Sequence, residues 1–323
     1  RFHTSTHGDF EYQAENPDFG ATFTYYLRDG IKSLSEQRED QESEMEEKDR
    51  YPLYPSWEDL ETELREADPT VYLVIENEQG NPIRKVNAEA EKGLHRVTWD
   101  LRLSSSRALG SGSSDDVGPL ASPGIYNATL FSNANGETRK LTDAVSFNVK
   151  PLSYGTVEGS VSPQERSAMM IDVSDLRRRL STANSKIDHL KAQLKSFRVA
   201  LDRSTAVTGD SEIRFEQLRQ EIFSIEEMVS GKRSSRGFGS SPATISSRLS
   251  MVELGRVNTW GLTDTQKQQM VYVEVALEQL EPKVDNLFNN DFPAFKKILL
   301  KAGAPWIPDG FTDATSDEPE DMD

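Results

Sequence analysis

The 323-residue sequence contains no cysteine. That absence excludes disulfide staples, thiol catalysis and cysteine-based zinc sites together, and leaves the redox compartment open. Long apolar runs are missing too. Nothing approaches the roughly 20 residues a helix needs to cross a bilayer, so no membrane span is expected. Positive charge is in deficit: 37 Lys and Arg stand against 54 Asp and Glu, a net charge of −17 with a pI near 4.8. A field of that sign repels phosphate backbones and excludes nucleic acid as an expected partner. Glycine-rich phosphate loops, serine nucleophile elbows and zinc-protease helix motifs are absent as well. What remains is a wetted chain, with 35% hydrophobic residues, 8% aromatics and a mean hydropathy of −0.63. It is long enough for two domains of ordinary size.

The chain begins Arg1-Phe2-His3-Thr4, with neither an initiator Met nor a charged-then-apolar leader pattern, and reads as an internal segment or a processed product. Within residues 1–30, Ala21–Leu27 has strand composition and follows the turn signature Asn16-Pro17-Asp18-Phe19-Gly20. One strand cannot bury its face alone, so it needs a sheet inside this chain or outside it. Residues 31–69 form a polar helical excursion with almost no apolar stripe, ending in a short helix capped by Ser56 and Asp59. Residues 70–152 carry short strands separated by turns at Gly80-Asn81-Pro82, Ser122-Pro123-Gly124 and Asn135-Gly136, the pattern of a small antiparallel β-sandwich. In the strand Leu94–Leu101, the alternate set His95, Val97, Trp99 and Leu101 holds the large apolar groups and is expected to face the core. Trp99 and Tyr126 are the expected anchors of this domain. The Ser/Gly-rich stretch 104–118 reads as a flexible loop.

Residues 160–306 read as an antiparallel helical bundle with one long helix. Ser162-Pro163-Gln164-Glu165 opens it with a capping box and a proline at the first helical position. A seam follows at Val173, Leu176, Leu180, Ala183, Ile187, Leu190, Leu194, Phe197 and Leu201, in steps of three and four. Leu180, Ile187 and Leu194 are its expected anchors. A second seam runs through Phe215, Leu218, Ile222, Ile225 and Val229. A third, after the cap Thr263–Gln266, runs through Met270, Val273, Leu277, Leu280, Val284 and Leu287. The long helix, at about 40 residues, spans roughly 60 Å and outruns its partner, so Thr244–Val257 and a short helix at Phe292–Ala302 are expected to cover the remainder. Pro282 is expected to kink the third helix. The acidic end, 307–323, has little to bury and is expected to be disordered.

Candidate chemistry is sparse. His3 and His7 are four residues apart beside Asp9 and Glu11, but in a Thr/Ser/Gly-rich segment without helical pattern, so no metal pair is assigned. His95 reads as a packed strand residue and His189 as a solvated helix flank. Asp115-Asp116 is the weak candidate for Ca²⁺, lacking the alternating oxygen ligands of an EF-hand. The basic stretch Gly231–Gly239 reads as a loop between helices. Asn127-Ala128-Thr129 forms a glycosylation sequon. No catalytic residue, cofactor or metal is assigned.

Three stretches carry a resemblance. Asn16-Pro17-Asp18-Phe19-Gly20-Ala21-Thr22-Phe23-Thr24-Tyr25-Tyr26-Leu27 resembles the junction that leaves the β-propeller in large secreted bacterial proteins with sortilin-like, Asp-box repeats, often labelled glycosyl hydrolases. Val71–Leu101, with Gly93-Leu94-His95-Arg96-Val97-Thr98-Trp99-Asp100-Leu101, and Pro119–Tyr126 resemble the immunoglobulin-like domain of the flagellar hook-capping protein. Lys301-Ala302-Gly303-Ala304-Pro305-Trp306 is similar to the end of the helical domain in the same propeller proteins. The resemblance implies a multidomain α and β chain, an Ig-like sandwich plus a helical bundle, in an extracytoplasmic setting: secreted, periplasmic or cell-surface. Residues 1–30 would then be a strand trailing from an upstream propeller. The Asp-box repeats and any catalytic groups among them are missing, so no enzymatic residue carries over. The function expected is a non-catalytic structural and interaction module that braces the propeller and presents a helical rod to a protein partner or another copy. The alternatives are an accessory part of a glycoside hydrolase or peptidase-like enzyme, and a carbohydrate-binding module.

Overall fold

The computed structural model describes residues 17–51, 54–105, 107–109, 118–151, 161–204, 209–231, 243–254 and 261–308. The chain divides into two compact units, a strand unit of Arg1–Ser104 with Pro123–Pro151 and a helical unit of Ser105–Ser122 with Leu152–Asp323.

The strand unit holds two antiparallel sheets. One pairs β1 (Ala21–Leu27) with β4 (Gly93–Trp99), Ala21 opposite Trp99 and Leu27 opposite Gly93. The strand expected to trail from an absent propeller therefore finds its partner inside this chain. The reason is its alternation: Phe23 reaches the ring of Phe147 at 5.1 Å, while the Thr22 and Thr98 hydroxyls bond at 3.0 Å. Gly20, at φ +148°, lets the chain enter this pair, because a Cβ there would lie 2.0 Å from the Trp99 carbonyl oxygen.

The second sheet is centred on β5 (Gly124–Ala134). One edge of β5 pairs with β2 (Thr70–Asn77), which pairs in turn with β3 (Pro82–Ala88). The other edge pairs first with β6 (Glu137–Lys140) and then with β7 (Val145–Val149). Asn135 and Gly136, at φ +53° and +73°, make the left-handed turn of the β5–β6 hairpin. Val71, Leu73 and Ile75 of β2 alternate inward with Ala128 and Leu130 of β5. Trp99 joins the two sheets, meeting Tyr126 at 5.3 Å and Phe147 at 6.1 Å edge-on, with its Nε1–H donated to the Arg102 carbonyl at 2.8 Å. Leu101, grouped above with the inward set, lies past the end of β4 at φ +57°.

Between β1 and β2 the polar excursion forms α1 (Leu34–Glu47), closed by a Ser33–Glu36 capping box, and α2 (Trp57–Arg65), closed by Ser56–Asp59. Neither helix buries a residue. They are tied by Arg38, whose Nε lies 2.9 and 3.1 Å from the Glu63 carboxylate, and by Glu66, which accepts the Leu34 N–H at 2.7 Å. Glu63 and then Glu42 hold the Arg38 guanidinium charged well above its ordinary range.

The helical unit is built on α3 (Pro163–Arg203), with α4 (Gly209–Ser230), α5 (Ile245–Glu253), α6 (Asp264–Asn286) and α7 (Phe292–Lys301). Each of the three expected seams lies on a buried face, with all five α4 positions buried. Leu194 is the exception on α3: it is half-buried at the rim, and Gln193, Ser196 and Phe197 take the interior there. Phe197 packs on Phe292 and Phe295 at 5.3 and 5.2 Å, which is how α7 covers the end of the long helix. The third helix continues through Pro282. Pro282 takes one N–H out of its ladder without ending it, and the π-helical turn Leu287–Asp291 then leads directly into α7. The core also reaches past residue 306, since Ile307 is buried.

Candidate functional site

In an acidic protein α3 is the basic element, with nine Lys and Arg against five Asp and Glu. Its cations meet acids on α4, α5 and α6. Arg177 binds Glu253 of α5, and Arg179 forms a two-pronged pair with Glu281 of α6 at 2.8 and 2.9 Å. Lys186 reaches Asp285 at 2.5 Å, Lys191 reaches Glu226 of α4 at 2.7 Å, and Arg198 reaches Glu212 at 2.9 Å. Arg214 of α4 meets Asp291 in the π turn at 2.5 Å. Single exposed pairs contribute little. As a series at fixed heights, these set which turn of each neighbour lies beside which turn of α3.

Along this ladder lies a cleft of about 690 Å³ in the helical unit, lined by α3, α4 and residues 107–109. Its floor is polar: Ser181, Asn184 and Ser185 face it, and the Ser181 hydroxyl accepts the Ala108 N–H at 2.9 Å. The Ser167 hydroxyl donates to the Leu120 carbonyl at 3.1 Å. These two bonds tie Ser105–Ser122, most of which falls in the stretch 104–118 expected to be a flexible loop of the β-domain, to the helical unit. Serines on the buried side of α3 need backbone partners, and this segment supplies them. Among the cations of the cleft, Arg177 and Lys191 are held by Glu253 and Glu226. No acceptor among the described residues meets the Arg107 guanidinium. The chemistry available is therefore one uncommitted cation with hydroxyl and amide donors, suited to holding a carboxylate or backbone carbonyls.

The sequence candidates disperse. Asp115, Asp116, His3, His7 and Lys232–Gly239 lie outside the described residues, as does most of the acidic end. Among the described residues no cluster of His, Asp and Glu is arranged to hold a metal ion. His95 stacks on Tyr25 at 5.5 Å and its Nε2 bonds the Glu91 carbonyl at 2.9 Å, a packed strand residue. His189, expected on a solvated flank, is half-buried against Phe288 at 5.4 Å. The sequon Asn127-Ala128-Thr129 sits within β5, with Thr129 buried. Trp99, Tyr126, Leu180 and Ile187 are all core residues.

The perturbed carboxylates are structural in origin. Arg219 first, and Gln220 second, push Glu216 down to about 2. A carboxylate depressed in this way favours the fold at pH values above its unfolded titration, near 4, and that contribution fades as pH falls toward 2. Arg219→Ala is expected to return the Glu216 midpoint toward the ordinary carboxylate range, read by side-chain NMR titration; an unmoved midpoint would leave the depression without its cause.

Surface apolar groups went unnoticed in the sequence. On α6, Val271 and Val275 point outward, opposite the buried Val273, Leu277 and Leu280, while the half-exposed Tyr272 ring lies on the flank under the Arg248 guanidinium at 5.0 Å. On α2, Trp57 and Leu64 stand almost fully in solvent. The signal was present: two large apolar groups seven residues apart on a helix share one face, and nothing nearby matches it. No family model matches this chain, and neither a curated protein nor a solved structure is similar to it. No helix among the described residues is long and apolar enough to cross a membrane.

Proposed function

We propose that this chain is a non-catalytic structural and interaction module of an extracytoplasmic propeller protein, with an Ig-like sandwich that braces the propeller and a helical rod that meets a protein partner. The observation that carries the interaction role is the outward stripe of Val271 and Val275 on α6. Val271 and Val275 are one turn apart on a helix whose other face is already in the core, so the stripe is surplus to folding and suits a second protein. Two facing antiparallel sheets around the buried Trp99 support the Ig-like reading. The propeller and the extracytoplasmic setting rest on the resemblance of Asn16–Leu27 and Lys301–Trp306.

Immunoprecipitation of the chain from its source cells, followed by peptide mass spectrometry, is expected to recover a β-propeller on the same or a separate polypeptide. Val271→Glu with Val275→Glu is expected to lower recovery of a separately encoded partner about tenfold, with far-UV circular dichroism unchanged. Hydrolysis of glycans or peptides by the isolated chain would overturn the non-catalytic reading, and recovery without any propeller would overturn the propeller link.

A further inference from the structure

The α1–α2 hairpin is packed with its polarity reversed. On α2 the side turned to α1 carries two acids: the Glu63 side chain is 13% exposed and paired with Arg38, and Glu66 has one oxygen on the Leu34 N–H and the other buried without a partner among the described residues. Trp57 and Leu64 occupy the opposite side and are each 87% exposed. Seven residues make nearly two turns, so the two side chains lie on one line, with Glu61 between them. A lone exposed leucine needs no account. A tryptophan and a leucine aligned on a helix that turns Glu63 and Glu66 inward, and leaves Glu58 and Glu61 in solvent beside them, form an amphipathic face left uncovered.

The charge around that face selects the occupant. Residues 32–68 contain 14 Asp and Glu against five Lys and Arg. A second copy of this chain, itself at −17, brings like charge to like charge. Anionic lipid headgroups and phosphate backbones are repelled in the same way. A cationic polypeptide meets the opposite sign, and its Lys or Arg side chains have two kinds of receiver: the carboxylates around the face and the π surface of Trp57. Exposed carboxylates alone give weak, salt-screened attraction, while the aligned Trp57 and Leu64 supply desolvated area and therefore register.

We propose that the outer face of α2, centred on Trp57 and Leu64, docks a basic, amphipathic polypeptide segment whose apolar side chains cover these two residues and whose Lys or Arg groups pair with the surrounding acids. The proposal rests on the reading of the chain as an interaction module and names the partner chemistry of a second surface on it.

The full chain is titrated with a short Lys/Leu peptide in helical register, with a Glu/Leu peptide of the same pattern as control, by calorimetry and tryptophan fluorescence. The Lys/Leu peptide is expected to bind and the Glu/Leu peptide not to. Trp57→Ala with Leu64→Ala leaves every charge in place and is expected to weaken binding about tenfold or more, with unchanged circular dichroism. Glu58→Lys with Glu61→Lys, both exposed, is expected to weaken it to a similar degree and to flatten its salt dependence. Binding that survives loss of Trp57 and Leu64 would mean bulk attraction between a polycation and an acidic protein, and would overturn the proposal. So would absence of binding by the unaltered chain. Val271→Glu with Val275→Glu separates the two surfaces: it is expected to leave peptide binding intact, so failure at α2 and failure at α6 are read independently.

Discussion

Ile187→Asp is expected to unfold the helical unit. Ile187 is 4% exposed in the middle of α3, the helix on which the rest of this unit is assembled. The substitution removes an aliphatic side chain from a close-packed position and puts a carboxylate in its place. The cations nearest in sequence are already committed: Lys186 lies 2.5 Å from Asp285, and Lys191 lies 2.7 Å from Glu226. Ile187 also borders the cleft that holds Arg107, but at 4% exposure the new acid must still give up most of its hydration, draw water into the seam or take up a proton, and each of these is unfavourable. Destabilisation of about 4 kcal/mol or more is expected, a large part of the 5–15 kcal/mol that typically separates folded from unfolded chains. Far-UV circular dichroism reads the loss, because the helices dominate that signal. Ile187→Val, which trims one methyl group, is expected to cost about 1 kcal/mol and serves as the shape control. An aspartate variant that keeps its helicity and melting temperature would remove Ile187 from the seam and with it the assigned face of α3.

Trp99→Ala is expected to have the largest effect in the strand unit. The indole is fully buried where β4 faces the second sheet, with edge contacts to Tyr126 and Phe147. Tyr126 is itself in a dry setting, since burial raises its phenol above the ordinary value. Truncation leaves a void that two rings cannot close without moving β5 and β7, and a cost of about 3–5 kcal/mol is expected. The Nε1–H also satisfies the Arg102 carbonyl just past the strand. Trp99→Phe keeps most of the packing and loses that bond, for an expected cost of about 1–2 kcal/mol. Near-UV circular dichroism and limited proteolysis between β4 and β5 separate the two variants. An alanine variant as protease-resistant as the parent would show that the two sheets do not depend on this contact.

Much of the helical unit was legible from local chemistry. A seam at three-and-four spacing, opened by Ser162-Pro163-Gln164-Glu165 or Thr263–Gln266, needs nothing beyond one turn of helix to be recognised, and the buried faces of α3, α4 and α6 follow it. Leu194 departs because at that height α7 packs on the Phe197 side of α3, through Phe292 and Phe295, and Gln193 and Ser196 are buried with it. The alternation around Val97 and Trp99 was equally local.

Partner choice was not. Ala21–Leu27 carries the alternation of a strand but no mark of which sheet it joins, and its partner β4 lies 76 residues away, at the distance between Thr22 and Thr98. Residues 104–118 read as a loop because their composition is that of a loop. The membership of Ser105–Ser122 in the helical unit depends on Ser167 and Ser181, polar positions whose need for a partner appears only once α3 is packed. The sequence marked α2 only by its Ser56–Asp59 cap, and the structure turned Glu63 and Glu66 inward because Arg38 and the start of α1 were there to receive them, leaving Trp57 and Leu64 outside. The sequence by itself determined the elements, their inward faces and their caps, since those depend on neighbours within a turn or a pleat. Only the tertiary structure decided what each face meets, because sheet partners, buried hydroxyls and ion pairs are matched by residues that only folding brings together.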